Sequence, residues 1–312
     1  MKIACNTEVF SDLDFAKNIY EITPIDISSF YLFKNIKNFG LVLTNWPSKK
    51  NLFWLHITLF LFPSKKLAIF TYPQEINYKL SILDKKLLLR ANRIICPNLE
   101  SARHGGLSMI YWKSPEKFRE IPYGVDLNKY LPRESLRPST NEIVTKFKEI
   151  INFVTKKVIK KGLPNILISC NNTEDWFEIL TNERIDGRIK YFDNQEEDSI
   201  RILKNYQESD IFVVPKIEGE NTIKQIIEAL SCGLAIIAPR VAKVTSIFDH
   251  DKHGLFFKPH DNEDLLEKIN CLCNNEEKRE MMSSAARKLA ENRYSKNQRE
   301  NKILQIIKEL DS

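Results

Sequence analysis

Short runs of apolar and β-branched residues recur along this chain, separated by stretches with helical spacing. Lys2–Ala4, Leu41–Leu43, Leu67–Phe70 and Arg93–Cys96 come first; Ile150–Val154, Arg188–Phe192, Ile211–Val214 and Ala235–Ala238 follow. A strand that is apolar throughout, not alternately, is buried on both faces, and such strands joined by helices form parallel sheets. Between the two sets lies Leu131–Glu142, LPRESLRPSTNE, whose prolines, serines and mixed charge read as a linker. The 312 residues suffice for about two domains at roughly 150 residues each. The expectation is an α/β protein with two parallel sheets flanked by helices, divided into residues 1–132 and 133–294, and with no internal repeat. The last 50 or so residues read as helices over Asn262–Leu272, Glu276–Asn292 and Lys296–Leu310. In the last of these, Ile303, Ile306, Ile307 and Leu310 form one apolar stripe.

Composition narrows the class. With 43% hydrophobic and 28% charged residues the chain is globular, not disordered. Only 9 glycines argue against several glycine-rich phosphate loops. The six cysteines, at 5, 96, 170, 232, 271 and 273, show no CxxC spacing, which disfavours a disulfide framework or a zinc site and suggests a reducing, cytoplasmic setting. Cys271 and Cys273 fall in a helix, where packing is the expected role. The N-terminus lacks an apolar signal region, so the sequon at Asn171 is read as chance. The longest apolar run, Asn51 to Phe62 with 9 apolar residues, is shorter than the ~20 that span a bilayer. Charge is uneven: residues 1–132 hold 18 Lys and Arg against 11 Asp and Glu, and the remainder is near neutral. That asymmetry suits an anionic partner of the first part, whether membrane surface, nucleic acid or acidic substrate, but also a merely lysine-rich surface.

The most informative stretch is Ser209–Gly233, SDIFVVPKIEGENTIKQIIEALSCG. A buried strand Ile211–Val214 ends at Pro215, a loop runs from Lys216 to Asn221, and a helix is expected from about Thr222, with Asn221 or Thr222 as N-cap. Ile223, Ile226, Ile227 and Leu230 form the docking stripe and Gly233 the C-cap. Ligands of open α/β sheets bind at the carboxyl ends of strands, and free N–H groups at a helix start suit a diphosphate. Glu220 and Glu228 frame this unit. They can grip hydroxyls of an extended ligand; with Lys224 they also have the i, i+4, i+8 spacing of a solvated helix face.

These residues resemble a family. Glu220…Glu228-Ala229-Leu230-Ser231-Cys232-Gly233 is similar to the Glu-x7-Glu motif of GT-B glycosyltransferases, in particular the retaining family four, of group 1. Ile121-Pro122-Tyr123-Gly124-Val125-Asp126, with Tyr130 and Pro132 downstream, resembles the family's I-P-N-G-V-D segment. Phe153-Val154-Thr155-Lys156…Lys161-Gly162-Leu163 resembles its V-G-R-L…K-G-L loop. His253-Gly254-Leu255 and Arg293-Tyr294-Ser295 resemble its N-G-L turn and the start of its last helix. The resemblance covers about residues 90–312. It implies two Rossmann-like domains, with the helix 295–312 crossing back to the first. It also implies transfer of a sugar from a nucleotide-diphosphate sugar to an acceptor hydroxyl, with retention of anomeric configuration. In that reading Glu220 contacts the donor sugar and Glu228 the ribose, while Lys156 and Lys161 hold the diphosphate beside the helix start at Asn221 and Thr222. Glu220 and Lys161 are the catalytic candidates. The family needs no metal or other cofactor, and no Asp-x-Asp or histidine cluster stands here to bind one.

Departures from the pattern are specific. Thr155-Lys156 stands where the family has Gly-Arg, and Ala242-Lys243 where it has a glycine pair. Pro215 lies one residue further from Glu220 than usual, which makes Glu218 a rival first glutamate. The first domain lacks the family's glycine-rich loop and its histidine near Thr71-Tyr72-Pro73. His56 reads as packed; His104, beside Gly105-Gly106, is a weak candidate for the cleft. A catalytically degenerate binding or assembly partner is the alternative. In the first domain, Lys49-Lys50 and Lys65-Lys66 flank the apolar run Leu52–Phe62. That suits either a buried core element or an interfacial one facing an anionic membrane and a lipid-linked or other glycan acceptor, from the cytoplasmic side. Nucleic acid ranks low, because Phe30, Tyr31 and Phe33 form no stacking motif.

Overall fold

The computed structural model describes residues 1–5, 13–24, 30–46, 49–71, 80–133, 163–170, 185–193, 199–217 and 220–312. It divides into two compact units, Met1–Gly124 with Lys296–Ser312, and Val125–Ser295. The sequence placed the division at 132/133. Residues 125–133 group with the second unit because they are bonded into it: the Val125 amide donates to Tyr294 O at 2.7 Å, and Arg287 donates to Tyr130 O at 2.7 Å.

The first unit is built on a six-stranded parallel sheet. Its strands are β1 (Lys2–Cys5), β2 (Glu21–Pro24), β3 (Leu41–Asn45), β4 (Lys66–Phe70), β5 (Arg93–Cys96) and β6 (Phe118–Glu120), in the order β2-β1-β3-β4-β5-β6. The helices between them are α1 (Phe30–Asn35), α2 (Lys49–Leu61), α3 (Ile82–Arg90), α4 (Leu99–His104) and α5 (Ser108–Lys113). Successive strand residues point to opposite faces, and each face has its own core. Ala4, Val42, Leu67, Ile69 and Ile94 pack on one side with Leu55, Leu59, Leu87, Leu88 and Ile110 of α2, α3 and α5. Ile3, Leu41, Leu43, Ala68 and Ile95 pack on the other side with Ile303, Ile306, Ile307 and Leu310 of the C-terminal helix Lys296–Asp311. This is why the strands are apolar throughout.

The apolar run 51–62 lies almost wholly in α2. Leu55, Thr58 and Leu59 are buried and His56 is half-buried, while Phe60 is 78% and Leu61 53% exposed. Lys65 is drawn into the architecture: its Nζ donates to Lys37 O at 3.1 Å and Phe39 O at 2.6 Å. Among the described residues no helix is long and apolar enough to cross a membrane.

The second unit carries a five-stranded parallel sheet of β7 (Asn165–Cys170), β8 (Arg188–Asp193), β9 (Ile211–Val213), β10 (Ala235–Pro239) and β11 (Gly254–Phe257), ordered β11-β10-β9-β7-β8. Its helices are α6 (Ser199–Glu208), α7 (Glu220–Ser231), α8 (Ala242–Thr245), α9 (Asn262–Asn274) and α10 (Glu276–Leu289). One face of the sheet packs Ile166, Ile168, Ile211, Val213, Ala235 and Ile237 against Leu265, Ile269, Leu272 and Met282 of α9 and α10. On α9, Cys273 is buried in this core and Cys271 is exposed. Two glycines have steric reasons. Gly233 ends α7 at φ +74°, a conformation in which a Cβ is strained. At Gly254 a Cβ would lie 2.2 Å from Ile236 O, so only glycine lets β11 lie against β10. The expected strand Ile150–Val154 and most of the linker Leu131–Glu142 fall outside the described residues.

Candidate functional site

The strand–loop–helix read from the sequence is β9 and α7, with β9 between β7 and β10 at the middle of its sheet. Ile211, Phe212 and Val213 are fully buried, and the stripe Ile223, Ile226, Ile227 and Leu230 is buried on α7 as expected. The helix starts at Glu220, two residues earlier than the sequence suggested. Asn221 and Thr222 therefore lie in its first turn and are not its N-cap. Both are weak helix formers, held in the first turn by the docking of the apolar stripe that follows them. Asn221 is exposed and Thr222 buried. Glu220 occupies the first helical position; its side chain, like Glu218, Lys156 and Lys161, lies outside the described residues.

Glu228 sits two turns into α7 and does not have the solvated, ion-paired environment that its spacing from Lys224 allowed. The Tyr130 hydroxyl donates to its Oε1 at 2.8 Å, across 98 residues of chain. Tyr206 of α6, fully buried, brings a second phenol to the same carboxylate. The tyrosines are themselves seated: their ring centroids are 6.4 Å apart, and Tyr206 meets Phe212 of β9 edge to face at 5.5 Å. Lys129 lies over the Tyr130 ring, its Nζ 5.4 Å from the centroid.

The electrostatics follow from this packing. Burial pushes the Glu228 carboxyl above the usual carboxylate range; the hydrogen bond from Tyr130, the nearby Tyr206 phenol and the charges of Lys129 and Lys224 act against that rise. Burial raises both phenols, and the Glu228 charge raises them further, so they remain donors at neutral pH. Cys232, next along the same helix end, is pushed up to about 12 by burial and then by Glu228, and stays a thiol. The result is an ionisable acid on a rigid helix whose partners are neutral donors.

Tyr130 appeared in the sequence only as a spacing mark after Asp126, and nothing singled out Tyr206. The helical spacing of Tyr206 in α6, at i+4 from Ile202 and i+3 from Leu203, could flag it as buried, but its meeting with Glu228 depends on α6, β9 and α7 packing together.

The other candidates are placed elsewhere. His104 ends α4 in the first unit, exposed, with Nε2 3.4 Å from Glu100 Oε2. Ala242-Lys243 opens the four-residue helix α8, in which Val244 is buried and Lys243 half-exposed. A cavity of about 410 Å³ lies beyond the carboxyl ends of β10 and β11, lined among others by Arg240, His250, Phe256, Lys258, Asp264 and Lys268. None of the expected site residues lines it.

Comparison with known proteins relates the stretch that carries Glu228 to a family model, and the fold to solved structures. The model of the family described as glycosyl transferases group 1 matches residues 158–289, which include β9, α7 and Glu228. Over 89 residues the chain is 36% identical to sulfoquinovosyl transferase SQD2 of Arabidopsis thaliana, an alignment covering 28% of this chain and 17% of that protein. Among solved structures, a glycosyltransferase from Rickettsia africae ESF-5 superposes with a TM-score of 0.64 at 16% identity, over 99% of this chain and 89% of that one. Anabaena Alr3699/HepE, solved in complex with UDP and glucose, superposes with a TM-score of 0.62 at 12% identity, over 99% of this chain and 100% of that one. The chain therefore has the GT-B fold, and its residues 158–289 match the model of the group 1 glycosyl transferases.

Proposed function

We propose that the protein is a retaining glycosyltransferase that moves a sugar from a nucleotide-diphosphate sugar to an acceptor hydroxyl, in glycan or cell-envelope polysaccharide biosynthesis. The observation that carries this reading is Glu228: an acid of the matched domain, half-buried beside the central strand of its sheet and answered by two phenols. Buried carboxylates are costly unless they have a use, and one that keeps free lone pairs suits the hydroxyls of a ribose. Similarity to a sulfoquinovosyl transferase and to a chain solved with UDP and glucose supports a sugar-nucleotide donor.

In this mechanism the bond from the anomeric carbon to the diphosphate oxygen breaks and its electron pair leaves with the diphosphate, while the acceptor hydroxyl oxygen bonds the anomeric carbon on that same face and its proton passes to the departing diphosphate oxygen. Lys156 and Lys161 meet that growing negative charge, and the N–H groups at the start of α7, at Asn221 and Thr222, add to it; fixed charges of this kind are usually the largest catalytic contribution. Glu220 orients the donor sugar and Glu228 the ribose. No metal is assigned a role. Isothermal titration with UDP, GDP and ADP should give saturable binding of at least one, weakened at least tenfold by Glu228→Ala; no binding of any of them sinks the proposal. A second reading, a binding partner without catalysis, is favoured by Thr155-Lys156 and Ala242-Lys243, which put side chains where the family brings glycine backbone to phosphate. Turnover of a nucleotide-sugar, even by slow hydrolysis, removes it.

For the acceptor we propose a glycan or a lipid-linked sugar met at an anionic membrane surface from the cytoplasmic side. Support comes from the net positive charge of residues 1–132 and from the exposed Phe60 and Leu61 at the end of α2. Co-sedimentation with phosphatidylglycerol vesicles, lost on Phe60→Ser with Leu61→Ser, is the expected result; no sedimentation with them would remove the membrane from the reading, and equal sedimentation with neutral vesicles would remove its anionic character.

A further inference from the structure

A phenylalanine at position 130 would fill the same space as the tyrosine. The hydroxyl is the only addition, and its proton goes to Glu228 Oε1 at 2.8 Å. A carboxylate offers about four lone-pair positions on two oxygens. We propose that Tyr130 is a positioning residue: by holding Oε1 it turns the Glu228 carboxylate so that Oε2 is presented to the vicinal hydroxyls of the donor's ribose. This rests on the role given to Glu228 above.

The geometry around Tyr130 supports a fixed donor. Its carbonyl accepts from Arg287 Nη1 at 2.7 Å, and the same nitrogen donates to Ser231 O at 2.7 Å, at the end of the helix that carries Glu228. One guanidinium thus ties the segment bearing the phenol to the helix bearing the acid. Five residues before Tyr130, the Val125 amide is bonded to Tyr294 O. The ring packs against Tyr206, which packs on β9. With backbone and ring both held, the hydroxyl has one place to be, and the carboxylate must come to it.

The hydrogen bond also bears on charge. Burial favours the protonated acid, and a protonated Glu228 offers fewer acceptor positions. The hydrogen bond of Tyr130 and the nearby Tyr206 phenol work against that, as do the charges of Lys129 and Lys224; Cys232 and Asp126 are the other ionisable groups around this cluster, and Arg287 lies beside Cys232. Losing the Tyr130 hydroxyl removes one of the effects that keep the acid ionised, so the pH below which nucleotide binding fails moves upward.

The test is isothermal titration of the full chain with UDP, GDP and ADP, from acid to neutral pH, for the parent, Tyr130→Phe and Glu228→Ala, with thermal melting of each. The expected result is that Tyr130→Phe stays folded with a somewhat lower melting temperature at neutral pH, binds the nucleotide about tenfold more weakly, and loses binding at a higher pH than the parent. Parent-like affinity and pH profile in Tyr130→Phe, with weak binding in Glu228→Ala, overturns the positioning role and leaves the role of Glu228 intact. Parent-like binding in Glu228→Ala, or no nucleotide binding at all, removes both. Should Tyr130→Phe fail to fold, 3-fluorotyrosine at position 130 decides. Its more acidic phenol is a stronger donor, so the pH at which binding fails should move downward; an unmoved profile overturns the proposal.

Discussion

Two acids, one on each unit's outer helix layer, are treated in opposite ways. Glu309 of the C-terminal helix is met by guanidinium groups: its Oε2 lies 3.3 Å from Arg93 Nη2 and 3.4 Å from Arg119 Nη2, both on strands of the first sheet. Glu228 of α7 is met by the Tyr130 phenol, with Tyr206 close by, while Arg287 gives its Nη1 to the carbonyls of Tyr130 and Ser231 and its Nε to Glu291 at 2.7 Å. In the first unit, charge is neutralised where it stands and the helix is pinned to the sheet. In the second, the arginine builds the frame, and the acid keeps acceptor capacity behind neutral donors. An acid satisfied by cations is architecture; an acid held only by hydroxyls is available to a ligand.

Breaking the frame should have the largest effect. Arg287→Ala leaves two part-buried carbonyls without their charged donor, and hydrogen bonds to charged groups contribute roughly 1.5–3 kcal/mol each. A loss of about 3 kcal/mol in chemical denaturation is expected, with weaker nucleotide binding because Tyr130 loses its anchor. A loss below about 0.5 kcal/mol would mean the guanidinium is not what ties these segments together.

The contrast between the two acids sharpens into opposite signs for one substitution. Glu309→Gln removes a partly exposed ion pair and should cost under about 1 kcal/mol. Glu228→Gln should instead raise the melting temperature at neutral pH while weakening nucleotide binding. Burial holds the folded carboxyl above its unfolded value, so the folded state binds more protons and ionisation costs stability as pH rises through that window. The advantage of the glutamine variant is therefore full above the folded value and shrinks as pH falls through it. If both substitutions destabilise equally and without pH dependence, the distinction drawn between the two acids is lost.

Much of the fold was legible in the strands. Arg93–Cys96 and Ala235–Ala238 are apolar at every or nearly every position because helices cover both faces, and the C-terminal stripe at Ile303, Ile306, Ile307 and Leu310 packs as its spacing indicates. The short edge strands β2 and β11 and the short β6 were not legible. Glu21–Pro24 is half exposed and begins with a charge, and Phe118–Glu120 carries two charged residues in three. Edge strands such as β2 and β6 need less apolar surface, so their composition resembles that of loops; β11, Gly254–Phe257, is buried throughout, and only its resemblance to a turn at His253–Leu255 hid it. Of the candidate site, the acid at 228 and the helix that bears it could be read from spacing.

The sequence by itself determined that there are two parallel sheets, where the helix of the candidate site lies, and that Gly233 ends it, because periodicity and a helix cap are local properties of a few neighbouring residues; the need for glycine at 254 comes from Ile236 on the paired strand. Only the tertiary structure decided that Glu228 faces Tyr130 and Tyr206, and that Arg287 serves carbonyls and not the acid. Those partners lie 98, 22 and 59 residues from Glu228, and a hydrogen bond depends on separation in space, which spacing along the chain does not encode.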